Sequence, residues 1–386
     1  MTQIGFVTTI ECAWGGSEEL WAQTAARMAG SGTTVGVNVA PGVEAAKVEA
    51  LAAAGCRVTR RPKFRRPRRL FENQQYKWLD HCRPEFVVIS LAAHFHGVEW
   101  MQECSKRGIP YAVVAHAGDE TFFHHDGNTP QIAAGYEQAA MCFFVSHGNM
   151  HFVRAQTAAK IARAKVIRNP FNVSYEAAPE WPPQDGVLKL ACVARLEPIA
   201  KGQDILFQVL RAEKWRQRPL QVTLFGNGMA RQTLQRLKAL HHLENVQFGG
   251  FTADIEAIWK SHHALILPSR FEGLPLALVE AMLCGRPAIV TDVSGNAELI
   301  EDNVTGFIAA APNPRFLDEA MERAWAKRGE WRQIGSAAAQ GVRQQVPADP
   351  IGAFITELAL LRVPPSTGIT QSSSRGSELP GSKLWS

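Results

Sequence analysis

The 386-residue chain lacks several features that would send its reading elsewhere. No window approaches the ~20 consecutive apolar residues needed to span a bilayer. Residues 1–10 are apolar but short, without the basic start, long apolar core and small-residue cleavage site of a signal peptide. Cysteine is sparse. Cys12, Cys56, Cys82, Cys104, Cys142, Cys192 and Cys284 are scattered, odd in number and contain no C-x-x-C pair. That argues against a disulfide framework and a zinc site, and for reduced thiols in a cytoplasmic protein. The sequon Asn172-Val173-Ser174 then reads as chance. Neither a G-x-G-x-x-G dinucleotide fingerprint nor a pyridoxal-phosphate lysine motif is evident, and no D-x-D metal motif accompanies the segments singled out below.

Net charge is also low, +5 for the whole chain, and one segment supplies more than all of it. Arg60, Arg61, Lys63, Arg65, Arg66, Arg68 and Arg69 fall within ten residues that contain no acid. A solvated basic loop is one reading. An anionic partner is the other, such as a phospholipid face or a lipid-diphosphate acceptor. Nucleic acid is disfavoured, because no recognition motif or aromatic platform accompanies the arginines.

What is present is alternation. Short runs rich in Val, Ile and Phe predict strands at 3–9, 34–40, 86–91, 111–115 and 141–146, with helices such as 18–28 and 98–107 between them. A Pro-rich stretch at 179–186 interrupts the pattern, which then restarts with strands at 188–194, 221–225, 246–248, 264–267, 287–291 and 307–309. Buried strands with crossover helices predict α/β architecture, here two doubly wound Rossmann-like domains facing a cleft. The expected division is a first domain at 1–178, a second at 187–345, a closing helix within 346–362, and a disordered tail at 363–386 where Ser, Gly, Pro and Thr dominate. Ligands of such sheets bind at the carboxyl ends of the strands, so the cleft is the expected active site.

The strongest chemical signal is the run from Ser269 to Met282, SRFEGLPLALVEAM, which leaves a buried strand and enters an apolar helix. Gly273 allows a tight turn and close approach to a ligand, and Pro275 suits a first helical position. The amides of Leu274 and Leu276 and the helix dipole then face an anion. Glu272 can accept hydrogen bonds from sugar hydroxyls, and Glu280 can grip the two hydroxyls of a ribose with its two carboxylate oxygens. A helix start with an acidic first turn and one exposed glutamate is the plain alternative. A second segment carries Arg195 at the end of a strand and Lys201 before the next helix. Two cations converging there suit a diphosphate, although alone they are unremarkable. A third is the Gly-rich turn Gly226-Asn227-Gly228, which by itself is common at strand ends.

Together these segments resemble family 4 of the glycosyltransferases. That family has a G/A-R-L…K-G segment, a G-x-G turn and an E-G-x-P/G-x-x-x-x-E motif, matched here by Ala194–Leu196 with Lys201-Gly202, Gly226–Gly228 and Glu272–Glu280. Gly249-Gly250-Phe251, with Phe251 near the nucleotide base, the T-D-x-x-G-x-x-E stretch Thr291–Glu298, and Thr305-Gly306-Phe307 also match. In the first half the match is looser. Gly15-Gly16-Ser17-Glu18 looks like the glycine-rich loop whose amides approach the donor phosphate or acceptor. His116 looks like the histidine that reaches across to the donor sugar, although Ala117, with Asp119 two residues further on, stands where many relatives have Asp or Asn. His94 and His96 also follow a strand and are read as satisfied strand-end histidines. The resemblance spans residues 4–361.

The resemblance implies the GT-B fold and a retaining hexosyltransferase that moves a sugar from a nucleoside diphosphate donor (a UDP- or GDP-sugar) to an acceptor hydroxyl in polysaccharide or glycolipid synthesis. Glu272, Arg195, Lys201 and His116 would carry the chemistry. Glu280, Gly15, Gly16, Gly273, Leu274, Asn227 and Phe251 would bind the donor. No metal or cofactor is implied, because the two cations would neutralise the departing diphosphate. The acceptor would be a saccharide or lipid-linked, and the protein cytoplasmic, with peripheral contact to anionic membrane through Arg60–Arg69. A non-catalytic sugar-nucleotide or polysaccharide-binding module, and a GT-B epimerase or phosphorylase, remain as rivals.

Overall fold

The computed structural model describes residues 2–10, 14–61, 74–91, 93–118, 123–183 and 185–362. Two all-parallel sheets organise them. The first contains β1 (Ile4–Thr8), β2 (Val35–Val39), β3 (Arg57–Arg60), β4 (Val87–Leu91), β5 (Tyr111–Ala115), β6 (Met141–Phe144) and β7 (Ala164–Val166), in the order 3-2-1-4-5-6-7. The second contains β8 (Leu188–Val193), β9 (Leu220–Phe225), β10 (Val246–Gly250), β11 (Ala264–Leu267), β12 (Ala288–Thr291) and β13 (Gly306–Ala309), in the order 10-9-8-11-12-13. Both are doubly wound. In each, the order reverses between the first strand and its neighbour, β1 beside β4 and β8 beside β11, and a crevice opens there at the carboxyl ends.

The inner strands are mostly apolar and buried because both faces of each sheet are covered, with polar exceptions such as Asn38, Lys189 and Gln221. β1, β2, β4 and β5 are buried along their whole length. Trp21, Val37 and Val114 belong to the apolar core on one face of the first sheet, and Met101, Val113 and Tyr136 to the core on the other. Sequence patterning does not anticipate β3 and β7. They are the two edges of the first sheet, four and three residues long and mostly exposed or half-buried, so neither carries an apolar run.

The packing changes hands earlier than the Pro-rich stretch. Val173 and Ala177 are buried in the core of the second domain. Tyr175 Oη donates to the Arg343 carbonyl at 2.7 Å, and the buried Arg286 donates to the Glu180 carbonyl at 2.6 Å. Residues 171–180 are thus held by the second domain before its first strand begins. The helix Pro350–Arg362 runs back to the first, where Phe354 packs edge-on against Phe143 with ring centroids 5.1 Å apart. Among the described residues no helix is long and apolar enough to cross a membrane. The tail, 363–386, and Arg60–Arg69 apart from its first two residues lie outside the described residues.

Candidate active site

A cavity of about 740 Å³ opens between the two sheets' carboxyl ends. Its lining includes His116, Arg195, Lys201, Glu272, Glu280, Gly15, Gly16, Gly273, Leu274, Asn227 and Phe251. All the site residues named from sequence therefore share one cleft, although they come from six separate stretches of chain.

The second domain builds its wall around the switch point. Arg195 follows β8, and Ser269–Glu272 follows β11, the neighbouring strand. Lys201 ends a single helical turn, Pro198–Lys201. Gly202 then takes φ +62°, where a Cβ would stand 1.9 Å from the Pro268 carbonyl, so only glycine lets this corner close onto the loop after β11. The closure brings Lys201 Nζ to 2.7 Å from both carboxylate oxygens of Glu272. Ser269 Oγ donates to Glu272 Oε1 at 2.8 Å. Two of the three ammonium protons are thus committed, and the third is left for a ligand. Arg195 differs. Its side chain is 63% exposed and reaches Glu197 at 3.1 Å, so the two cations do not converge in the arrangement seen here.

Pro275 stands at the N-cap of the helix Leu276–Leu283, one position earlier than sequence suggests, and the helix start still faces the cavity. Glu280 is five residues in and buried. Its Oε1 accepts from both the backbone N and the Nδ2 of Asn172, each at 2.9 Å. The expectation that both carboxylate oxygens meet the ligand is thereby modified, since one is already doubly bonded within the protein. Burial pushes this carboxyl's pKa upward, and the Asn172 bonds oppose that.

The first domain's wall is made of the ends of β1 and β5. His116 follows β5, is buried, and shares a hydrogen bond with Ser90 through Nε2 at 3.0 Å. Its Nδ1 is buried with no hydrogen-bond partner. Burial pushes the imidazole pKa down to about 4, against a smaller opposing pull from Asn169. The helix Gly16–Gly30 opens on the glycine loop. Glu18 folds back so that Oε2 accepts from the Gly15 amide at 3.1 Å and from Ser17 Oγ at 2.6 Å. Its Oε1 is buried without a partner, and burial raises the carboxyl to about 7.

The walls touch at Gly273, where a Cβ would lie 1.7 Å from the His116 carbonyl oxygen. Glu298 reaches over from the second domain and accepts from the Gly148 amide at 2.6 Å. Asn172, read from sequence only as part of a chance sequon, and Asn169 and Trp14, given no role there, also line the cavity. His94 and His96 are not part of its lining, and buried His94 pairs with His124 at 3.1 Å. Among the described residues no group of three or more His, Cys, Asp or Glu could hold a metal ion. The basic segment loses one member as a surface cation. Arg61 is buried and donates to the Thr8 carbonyl at 2.8 Å and to Asn38 Oδ1 at 3.2 Å.

Residues 176–341 match the family model described as "Glycosyl transferases group 1". Over 110 residues the chain is 36% identical to the Vi polysaccharide biosynthesis protein VipC/TviE of Salmonella typhi, covering 28% of this chain and 19% of that protein. Over 126 residues it is 30% identical to the alpha-D-kanosaminyltransferase of Streptomyces kanamyceticus, covering 32% and 33%. The chain thus spans between a fifth and a third of these relatives' lengths. In three dimensions it is similar to Anabaena Alr3699/HepE in complex with UDP, with a TM-score of 0.74 at 19% identity over 93% of this chain and 99% of that one. Residues 176–341 are thus similar to the group 1 glycosyl transferases, and the two domains have the GT-B fold.

Proposed function

We propose that this chain is a family 4 glycosyltransferase that moves a hexose from a nucleoside diphosphate to an acceptor hydroxyl with retention at the anomeric carbon. The observation that supports this most is the cleft itself, where a Lys201–Glu272 pair and a buried Glu280 face His116 and the Gly15–Gly16 loop across about 740 Å³. The diphosphate would lie at the start of the helix Leu276–Leu283, whose first amides and dipole favour an anion. Lys201 would use its remaining proton on the leaving phosphate, and Arg195 would swing off Glu197 to join it. Glu280 would take the ribose, Phe251 would lie by the base, and Glu272 would hold sugar hydroxyls rather than attack carbon. His116, neutral at working pH, would hydrogen-bond the sugar. The departing phosphate oxygen would accept the acceptor's proton on the same face, in a cleft closed to water. The names of relatives that act in polysaccharide biosynthesis, and the UDP bound by Alr3699/HepE, support a UDP-sugar donor and a saccharide or lipid-linked acceptor.

A thermal-shift panel of UDP, GDP, ADP and their sugars, with and without EDTA, tests the reading, because a ligand that binds only the folded state raises Tm. One nucleotide series should stabilise the chain, and chelation should change neither that shift nor sugar transfer. Loss of transfer in EDTA, restored by manganese or magnesium, would refute the two-cation account. Docking of Arg60–Arg69 on anionic lipid belongs to the same proposal, since attraction is worth ~1 kcal/mol per basic residue. Co-sedimentation with vesicles should rise with anionic lipid content and fall in 0.5 M salt, and binding indifferent to lipid charge would remove this part.

A further inference from the structure

We propose that Asn172 is the positioning residue of the donor site. Its two donors fix Oε1 of Glu280 and leave Oε2 to meet the ligand. This rests on Glu280 binding the ribose and adds the group that makes it fit to do so.

Glu280 is 3% exposed on an apolar helix, between Val279 and Ala281, which are equally buried. A carboxylate there needs donors, or it protonates and stops acting as a pure acceptor. Asn172 supplies two donors, backbone and amide, both at 2.9 Å and both to the same oxygen. No described residue donates to Oε2, and Glu280 and Asn172 both line the cavity. The arrangement turns a symmetric carboxylate into a one-sided acceptor. The Asn172 bonds also act against the upward push of burial on its pKa, although burial is the larger cause.

Asn172 comes from outside the motif. It lies in the segment that leaves β7 and is then held by the second domain at Ser174, whose amide donates to Glu256 at 2.9 Å, and at Tyr175. The donor site of the second domain is therefore completed by residues that precede its first strand.

A double-mutant cycle on the full chain, read by calorimetric titration of UDP (or GDP, should the wild type prefer it) between pH 5.5 and 8, tests this. Asn172→Ala should weaken nucleotide binding by roughly tenfold at neutral pH. The loss should grow as pH falls, because the less supported carboxyl protonates at a higher pH than in the wild type. In a Glu280→Ala background the same change should have no further effect. Equal losses in both backgrounds, or a wild-type pH profile in Asn172→Ala, would overturn the inference while leaving Glu280 in place. Undiminished nucleotide affinity in Glu280→Ala, with the melting transition intact, would overturn the ribose reading and this inference with it.

Discussion

The two walls of the cleft follow opposite electrostatic plans. In the second domain the cavity's charges are given partners: half-buried Lys201 lies 2.7 Å from buried Glu272, and buried Glu280 takes two donors from Asn172. On the first domain's side, His116 and Glu18 are each satisfied through one polar atom and not through the other. Each of His116 and Glu18 has one buried polar atom without a partner, and burial moves their pKa values to about 4 and about 7. Hydrogen-bonded pairing keeps ions ionised inside a protein, whereas burial alone pushes groups toward neutrality. On the proposed function, the second wall would hold the charged diphosphate and the first would approach the uncharged sugar or hydroxyl.

The largest effect that can break this comparison is at Lys201. It is the half-buried cation held by Glu272, so Lys201→Ala should cost on the order of 10²–10³ in kcat. Arg195 is exposed and pairs with Glu197, so Arg195→Ala should cost closer to tenfold. Steady-state kinetics following release of nucleoside diphosphate checks both. They should be run well below the melting point, because Glu272 left buried without its partner costs about 3–5 kcal/mol of stability. An Arg195 loss as large as that of Lys201 would mean that the cations act as an equal pair.

Next comes the contact between the walls. A methyl at Gly273 would meet the His116 carbonyl at 1.7 Å, so Gly273→Ala must hold the walls apart. Overpacking of this kind typically costs about 1–3 kcal/mol, which here should appear as a roughly ten- to hundredfold fall in kcat. On the proposed reading most nucleotide contacts lie on the second wall, so UDP affinity should change far less. If affinity falls in step with turnover, the two walls bind nucleotide together.

The same contrast governs what could be read from the sequence. The second wall is legible because its chemistry sits in short runs. Strand end, charge and helix start follow one another from Ala264 to Glu280, and again from Leu188 to Lys201. The two-sheet fold is legible because inner strands buried on both faces carry mostly apolar runs. The edges β3 and β7 do not, and neither shows in the pattern. Asn172 has no local signature, since its meaning lies in a carboxylate 108 residues away. That Lys201 and Arg195 would be treated so differently is also invisible in sequence, because spacing reports neither burial nor partners. Arg61 reads as one more cation of a basic run, yet its guanidinium satisfies the Thr8 carbonyl at the end of β1.

The smallest expected effect is on stability, and it tests the first wall directly. His116 has a folded pKa of about 4 against an ordinary 6.5. The unfolded chain therefore binds more protons between those values, and the stability from neutral His116, complete above pH 6.5, is lost as pH falls toward 4. Glu18 works the other way. Its folded pKa of about 7 exceeds the ordinary 4.5, so the folded chain binds more protons in that window. The stability it contributes is complete below pH 4.5 and is lost as pH rises through 7. Between pH 4.5 and 6.5 the two slopes oppose each other and largely cancel in the wild type. Single substitutions should separate them. In Glu18→Gln, stability should rise with pH from 4.5 to 6.5, and in His116→Asn it should fall over 4.5 to 7. Each change should be of order 1 kcal/mol, below the full linkage value because the glycine loop can open Glu18 to water. Urea midpoints of the three proteins across pH 4.5–7.5 give the slopes. If all three show the same slope, the titratable groups of the first wall are not held as the geometry describes, and the two walls do not differ in kind.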